Sequence, residues 1–163
     1  MPPSSLQVPN TDVIDIFVGP LFTYLTPLTR ASDDYCVFKV EVPSGVTVPV
    51  HSHGDRETFY ILSGEIEGLV ETQWQTLGAG DALDVPANVK HAFRNSSSAG
   101  VSLLMTSTMR MGQYYIDVGR PVTSAPLPPP APEDLQHFTE VSQQYGYWFG
   151  NAQENAAVGI ALP

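Results

Sequence analysis

Three of the four histidines in this chain of 163 residues are spaced so that they can act together with one glutamate. The first block reads G-x5-H-x-H-x3-E-x6-G and contains His51, His53 and Glu57, and the second reads G-x5-P-x4-H-x3-N and contains His91. Residues two apart in a strand share a face, so the first two imidazoles can chelate one ion. Three imidazoles and a carboxylate suit a divalent first-row metal, so the fold must bring these segments together.

The polar bend after His53 allows Glu57 to return to the same ion from the neighbouring strand. His91 opens a separate run much later in the chain, so we expect it to close the site from another wall. A proline and an asparagine in the segment before His91 form a turn that fixes where its strand begins.

Short runs with β character, separated by turns rich in glycine, proline and polar residues, follow one another from about residue 13 to 108. The predicted strands are 13–18, 22–26, 35–42, 58–62, 65–72, 81–86, 91–95 and 101–108. Alternation with period 2 supports them, since Cys36, Phe38 and Val40 share one face and Lys39 lies on the other. Many short strands without a helical period predict an antiparallel sandwich or barrel.

A different pattern follows a proline-rich connector at 126–132. A helix is predicted from Pro132, where two acidic residues complement its N-terminus, to a stop at Gly146. The segment 111–119 is a candidate for another short helix, and the tail from about residue 150 is weakly patterned.

The formal charge of −10, from 17 acidic and 7 basic residues, argues against binding to nucleic acid or to an anionic membrane. One cysteine, Cys36, excludes an internal disulfide. No secretory signal and no apolar run of about 18 residues is visible, so we expect a cytoplasmic protein.

The segments GVTVPVHSHGDRETFYILSG and GDALDVPANVKHAFRN resemble the two motifs of the cupin superfamily almost position for position. One departure is Asn88, where the second motif usually has glycine; asparagine tolerates left-handed backbone angles, so the turn can be kept. The resemblance implies an all-β protein with a double-stranded β-helix, the jelly-roll barrel, and a short C-terminal helical extension.

The stretch HSHGDRETFYILSGEIEG also looks like the single-domain, quercetin-dioxygenase-like cupins. Members of that group often carry a proline-rich connector and a terminal helix ending in a Y-G-aromatic pattern, as at 126–149 here. On this interpretation residues 1–12 are a loose lead-in, 13–110 the barrel, and 111–163 the connector, helix and tail that pack on it.

A site of this kind predicts one transition metal ion held by His51, His53, Glu57 and His91, with iron, manganese, nickel, cobalt, copper and zinc all compatible. Glu57 can also act as a catalytic base. The first interpretation is a dioxygenase that joins O₂ to a small enolisable or aromatic compound such as a flavonol. A metal-dependent isomerase or lyase, and a non-catalytic cupin that holds a small ligand, stay open.

Strand parity gives the expected wall of the substrate pocket. The residues that share the inward faces are Phe38, Val40, Phe59, Ile61, Phe93 and Met105. Apolar walls around an ion suit a hydrophobic small molecule. The resemblance to cupins also implies a homodimer, since their barrels have open sheet edges to cover.

Overall fold

The computed structural model describes residues 13–17, 19–28, 34–123 and 127–162. The predicted lead-in at 1–12 lies outside the described residues. The strands, in chain order, are β1 (Ile14–Asp15), β2 (Leu21–Tyr24), β3 (Tyr35–Val42), β4 (Thr47–Ser52), β5 (Glu57–Ser63), β6 (Glu65–Val70), β7 (Gln73–Gly78), β8 (Ala82–Val85), β9 (His91–Arg94), β10 (Val101–Thr108), β11 (Arg120–Pro121) and β12 (Trp148–Phe149). The helices are α1 (Met109–Val118), α2 (Pro132–Gln144) and α3 (Ala152–Ala157).

These strands form two antiparallel sheets in the described part of the chain. The larger sheet has the order β11-β1-β2-β3-β10-β5-β8, and the smaller has the order β12-β4-β9-β6-β7. Buried apolar side chains from both sheets pack in one core cluster. The predicted all-β jelly roll with short C-terminal helices is confirmed.

The centre of the larger sheet shows why the sequence folds this way. β3 and β10 pair along their whole length, from Val42 opposite Val101 to Tyr35 opposite Thr108. Alternate residues of β3 point inwards, and Phe38 among them is 0% exposed. Burying a side chain of that size contributes about 2–3 kcal/mol, which locks the register of the strand.

Besides the two-residue strands β11 and β12, two longer strands were not predicted from the sequence. β7 has Leu77 as its buried residue and is otherwise exposed or half-buried, so no apolar alternation marks it. β4 was anticipated only through its histidine pair, because a proline interrupts its run and most of its residues are half-buried. Both strands belong to the smaller sheet.

The two sequence blocks meet in space at their outer ends. The backbone N–H of Gly45 donates to the carbonyl of Asn95 at 2.8 Å, and the N–H of Asn95 donates to Val46 at 2.9 Å. The Asn95 side chain is 1% exposed and donates to the carbonyl of Val42 at 2.9 Å. The last asparagine of the second block is therefore a structural residue that ties together the strands carrying the histidines.

Asn88 adopts φ = 65°, the left-handed conformation that the resemblance required of it. Its backbone N–H donates to the carbonyl of His53 at 2.7 Å. The turn survives without glycine, as predicted, and holds the loop before His91 against the first histidine block.

Helix α1 follows β10 directly, because the Thr108 hydroxyl accepts a hydrogen bond from the Met111 N–H and caps the first turn. Helix α2 begins at Pro132, as predicted, and the chain turns at Gly146 with φ = 72°. Helix α3 was not predicted; the buried Asn155 attaches it to β4 by accepting from the Val50 N–H at 2.9 Å.

Two motif glycines give a matched test of the turns. Gly64 and Gly80 have φ = 83° and 92°, but an added Cβ would lie 2.8 Å from the Gly100 carbonyl oxygen at the first and meets nothing within 4 Å at the second. We expect Gly80→Ala to lower the free energy of unfolding by about 1–2 kcal/mol, the cost of a left-handed alanine. Gly64→Ala should cost clearly more, measured by urea unfolding; equal losses would contradict the steric explanation.

Candidate metal centre

The four predicted ligands converge at one place. One donor atom from each of His51, His53, Glu57 and His91 can be chosen so that all four atoms lie within 4.8 Å of one another. His51 lies near the end of β4 and faces His91, its direct partner at the start of β9. Glu57 opens β5 and approaches from the opposite sheet.

This placement corrects the expected route of two ligands. The sequence suggested that Glu57 stands on the strand next to the histidine pair and that His91 comes from another wall. In the structure the neighbouring strand carries His91, and Glu57 comes from the facing sheet. The bend at 54–56 therefore carries the chain from one sheet to the other.

Local hydrogen bonds fix which nitrogen of each imidazole is protonated. The Nδ1 atoms of His51, His53 and His91 lie 2.7, 3.0 and 2.8 Å from the carbonyl oxygens of Pro49, Asp55 and Val89. A carbonyl only accepts, so Nδ1 must carry the proton in each ring. The three Nε2 atoms are left with free lone pairs, which is the state that a metal ligand needs.

Two of these Nε2 atoms are buried without a hydrogen-bond partner. His53, Glu57 and His91 are between 1% and 4% exposed, and neither Nε2 of the two histidines makes a hydrogen bond. The carboxylate oxygens of Glu57 lie 3.0 Å from the Nε2 of His91 and 3.6 Å from that of His53. Unsatisfied buried acceptors cost about 1–3 kcal/mol each, and a cation placed between them would satisfy all of them. The residues fit a divalent metal.

Burial also favours the neutral form of two of the rings, those of His51 and His53. It lowers the pKa of His51 well below its usual value, and the neighbouring His91 and His53 lower it further. Burial likewise lowers the pKa of His53, although the Glu57 carboxylate works against this. Neutral imidazole is the form that binds a metal, so the site favours a cation over protons.

Asp55 lies between His53 and Glu57 in the sequence. Its hydrogen bonds connect this loop to the end of β10, to α1 and to the chain that follows α2. Its side chain is buried and accepts hydrogen bonds from the hydroxyls of Thr108 at 2.5 Å and Tyr147 at 2.6 Å, and from the Arg110 guanidinium at 2.9 Å. Its backbone carbonyl accepts the Nδ1 proton of His53. Through this one residue, α1 and the chain that follows α2 (residues 145–162, hereafter the tail) position a candidate ligand.

The tail also covers the histidine pair directly. β12 pairs with β4 so that Phe149 stands opposite His51, and their rings are stacked with centroids 5.8 Å apart. The ring of Tyr147 lies 4.9 Å from that of His53. These aromatic faces exclude water from one side of the cluster.

A cavity of about 600 Å³ opens onto the cluster from inside the barrel. His51, His53 and Glu57 lie on its wall, which is otherwise mostly apolar. Glu57 is the one acidic residue on the described part of this wall, and no lysine or arginine lines it there. The volume falls within the range of about 300–1,000 Å³ typical of small-molecule sites.

Most of the residues predicted for the pocket line this cavity. Those on the wall are Val40, Phe59, Phe93 and Met105. The prediction does not hold for Phe38 and Ile61. They pack in the core, 0% and 1% exposed, and do not line the cavity. Strand parity identified inward residues but could not separate the core from the cavity.

The sequence did not reveal how much of the wall comes from outside the barrel. Tyr114 and Tyr115 of α1, Phe138 of α2, Tyr147 and Phe149 of the tail all line the cavity. The clusters of aromatic residues in 111–119 and 145–149 were visible in the sequence. Their local pattern does not indicate that they pack at the mouth of the barrel.

Comparison with known proteins agrees with this architecture. Residues 38–107 match the family model described as a cupin domain. This part of the chain is a cupin domain. A crystal structure of an RmlC-like cupin from Shewanella frigidimarina superposes with a TM-score of 0.54 at 23% identity, covering 64% of this chain and 90% of that one; this likeness shows the fold alone.

Two curated relatives match over shorter lengths. A dimethylsulfoniopropionate lyase of Ruegeria pomeroyi is 34% identical over 76 residues, covering 46% of this chain and 38% of that protein. A quercetin 2,3-dioxygenase of Bacillus subtilis is 28% identical over 101 residues, covering 60% of this chain and 30% of that protein. The matches thus span about a third of each relative. Among the described helices, none is long and apolar enough to span a membrane.

The Asp55 network generates a stability prediction. Tyr147→Phe keeps the ring over His53 but removes one buried, charge-assisted hydrogen bond, so the free energy of unfolding should fall by about 1.5–3 kcal/mol. Tyr145→Phe is the control, because its hydroxyl donates to an exposed carboxylate, that of Asp117, and its loss should cost under about 1 kcal/mol. Equal losses in urea unfolding would contradict a special role for Asp55.

Proposed function

We propose that this chain is a metal-dependent enzyme whose ion is held by His51, His53, Glu57 and His91. Of the reactions open to such a site, we favour dioxygenation of a small enolisable or aromatic compound such as a flavonol. The observation that carries the proposal is the convergence of unprotonated, buried imidazole nitrogens and one carboxylate at the wall of an apolar cavity.

A divalent ion bound here would act as a Lewis acid that favours the ionised form of an oxygen ligand, and a redox-active ion would also permit reaction with O₂. The protein supplies the rest. Glu57 lies on the cavity wall and can accept a proton from a substrate hydroxyl, since a carboxylate held at this position is a positioned base. The apolar wall binds the body of the substrate and excludes water.

The similarity to the quercetin 2,3-dioxygenase of Bacillus subtilis supports the favoured reaction. The absence of lysine and arginine from the described wall agrees with it, because a neutral flavonol needs no cationic partner.

A lyase is the second candidate, and the identity of 34% to the dimethylsulfoniopropionate lyase of Ruegeria pomeroyi favours it. The same site can serve an elimination, with Glu57 removing a proton from carbon instead of oxygen. Release of the elimination products from dimethylsulfoniopropionate, measured beside O₂ uptake with flavonols, separates the two reactions.

Removal of one ligand tests the metal site. We expect His53→Ala to lose bound metal, because one of the four donors disappears and the remaining three no longer close around the ion. Metal content per chain is measured by mass spectrometry after reconstitution with iron, manganese, nickel, cobalt, copper or zinc. His137→Ala is the control, since this exposed histidine on α2 should leave the content unchanged. Full stoichiometry in His53→Ala would remove that residue from the ligand set.

Replacement of the carboxylate tests the proposed base. Glu57→Gln keeps the size of the side chain and one donor oxygen, so some metal should stay bound, but the amide cannot accept the substrate proton. Turnover should fall by about 100-fold or more at equal metal content. Glu65→Gln, on an exposed strand end, is the control. Normal turnover in Glu57→Gln would rule out the base.

A further inference from the structure

Tyr115 has a rigidly held ring on the wall of the cavity. It stands on α1, stacked on Phe22 with centroids 4.2 Å apart and edge-on to Phe38 at 5.6 Å. Both phenylalanines are buried in the core. The orientation of the Tyr115 ring is therefore fixed before any ligand enters.

The hydroxyl of Tyr115 differs from those of the other tyrosines on the wall. Tyr114 shares a hydrogen bond with the Ser142 hydroxyl at 2.9 Å, and Tyr147 donates to Asp55 at 2.6 Å. The Tyr115 hydroxyl makes no hydrogen bond to any residue in the described ranges of the chain. The Tyr115 side chain is half-buried and lines the cavity, so its hydroxyl is free to receive a hydrogen-bond partner there.

A tyrosine hydroxyl, whose ordinary pKa is about 10, is protonated at neutral pH and can donate a hydrogen bond. Burial raises the pKa of Tyr115 well above its usual value, and the Glu57 carboxylate raises it further. The hydroxyl therefore stays protonated at neutral pH and can donate.

We propose that Tyr115 forms a second recognition point, which donates a hydrogen bond to an oxygen of the ligand that is not bound to the metal. The inference rests on the proposed function and narrows its substrate class. The ligand has an apolar, mainly aromatic body, one oxygen for the metal, and a separate neutral acceptor such as a phenol, ether or carbonyl. A carboxylate or phosphate does not fit there, because no cationic side chain lines the described wall.

The test compares two flavonols in equilibrium binding to zinc-loaded protein, so that no turnover is needed. Quercetin carries hydroxyls on both outer ring systems, whereas 3-hydroxyflavone keeps the metal-chelating oxygens and lacks those hydroxyls. Tyr115→Phe should weaken quercetin binding by about fivefold, the effect of one hydrogen bond. Its effect on 3-hydroxyflavone should stay under about twofold. Fluorescence quenching measures both affinities, at metal content matched to the wild type.

Tyr24→Phe is the control for an indirect effect through the helix. The Tyr24 hydroxyl donates to the Gly112 carbonyl of α1 at 2.5 Å, but Tyr24 does not line the cavity. This variant should not discriminate between the two flavonols. The same selective loss in Tyr24→Phe would overturn the inference, since the effect would then come from a shift of α1.

Two other results separate this inference from the proposed function. If the wild type binds both flavonols and Tyr115→Phe weakens both equally, or neither, Tyr115 is not a recognition point and the proposed function stands. If the wild type binds neither flavonol, the proposed substrate class is wrong and this inference falls with it.

Discussion

Three hydrogen bonds from imidazole Nδ1 atoms to backbone carbonyls set the chemistry of the site. Each acceptor lies two residues from its histidine, so the bonds form within the local turns that carry the ligands. They place the remaining lone pairs on Nε2, and the ladder between β4 and β9 brings the rings of His51 and His91 to a centroid distance of 4.1 Å, tilted by 54°. Glu57 from the facing sheet completes the set of donor atoms. Burying these polar atoms without a cation between them costs free energy.

Support for this donor set extends beyond the barrel. A buried carboxylate needs several donors, and Asp55 takes them from the end of β10, from α1 and from the tail. The loop between the ligands and the C-terminal extension are therefore mutually dependent. Phe149 and Tyr147 add aromatic faces over the same imidazoles. The extension thus closes the barrel mouth and shapes the cavity that a ligand would enter.

The sequence predicted the fold class and the cluster of candidate ligands, because both leave a recognisable local pattern in the sequence. The spacing of His51, His53, Glu57 and His91 is readable directly, and the alternation of apolar and polar residues along β3 identifies its inner face. Asn88 was expected to keep a left-handed turn, and its φ of 65° confirms this. These features depend on few neighbours.

Long-range arrangement was not readable in the same way. Which sheet carries Glu57 depends on how the chain crosses between sheets, and strand period does not encode that. The alternation along the strands shows only that Phe38 and Ile61 point inwards. It does not show that they pack in the core instead of lining the cavity. The cavity wall from α1 and the tail depends on contacts between residues far apart in the chain.

X-ray absorption spectroscopy at the edge of the metal that co-purifies with the untagged protein would identify the atoms that bind the ion. With these four residues as ligands, we expect a first shell of nitrogen and oxygen at about 2.0–2.2 Å, with the outer-shell scattering of three imidazole rings. A shell of water oxygens alone, or one containing sulfur, would contradict the assignment of His51, His53, Glu57 and His91 as the ligands.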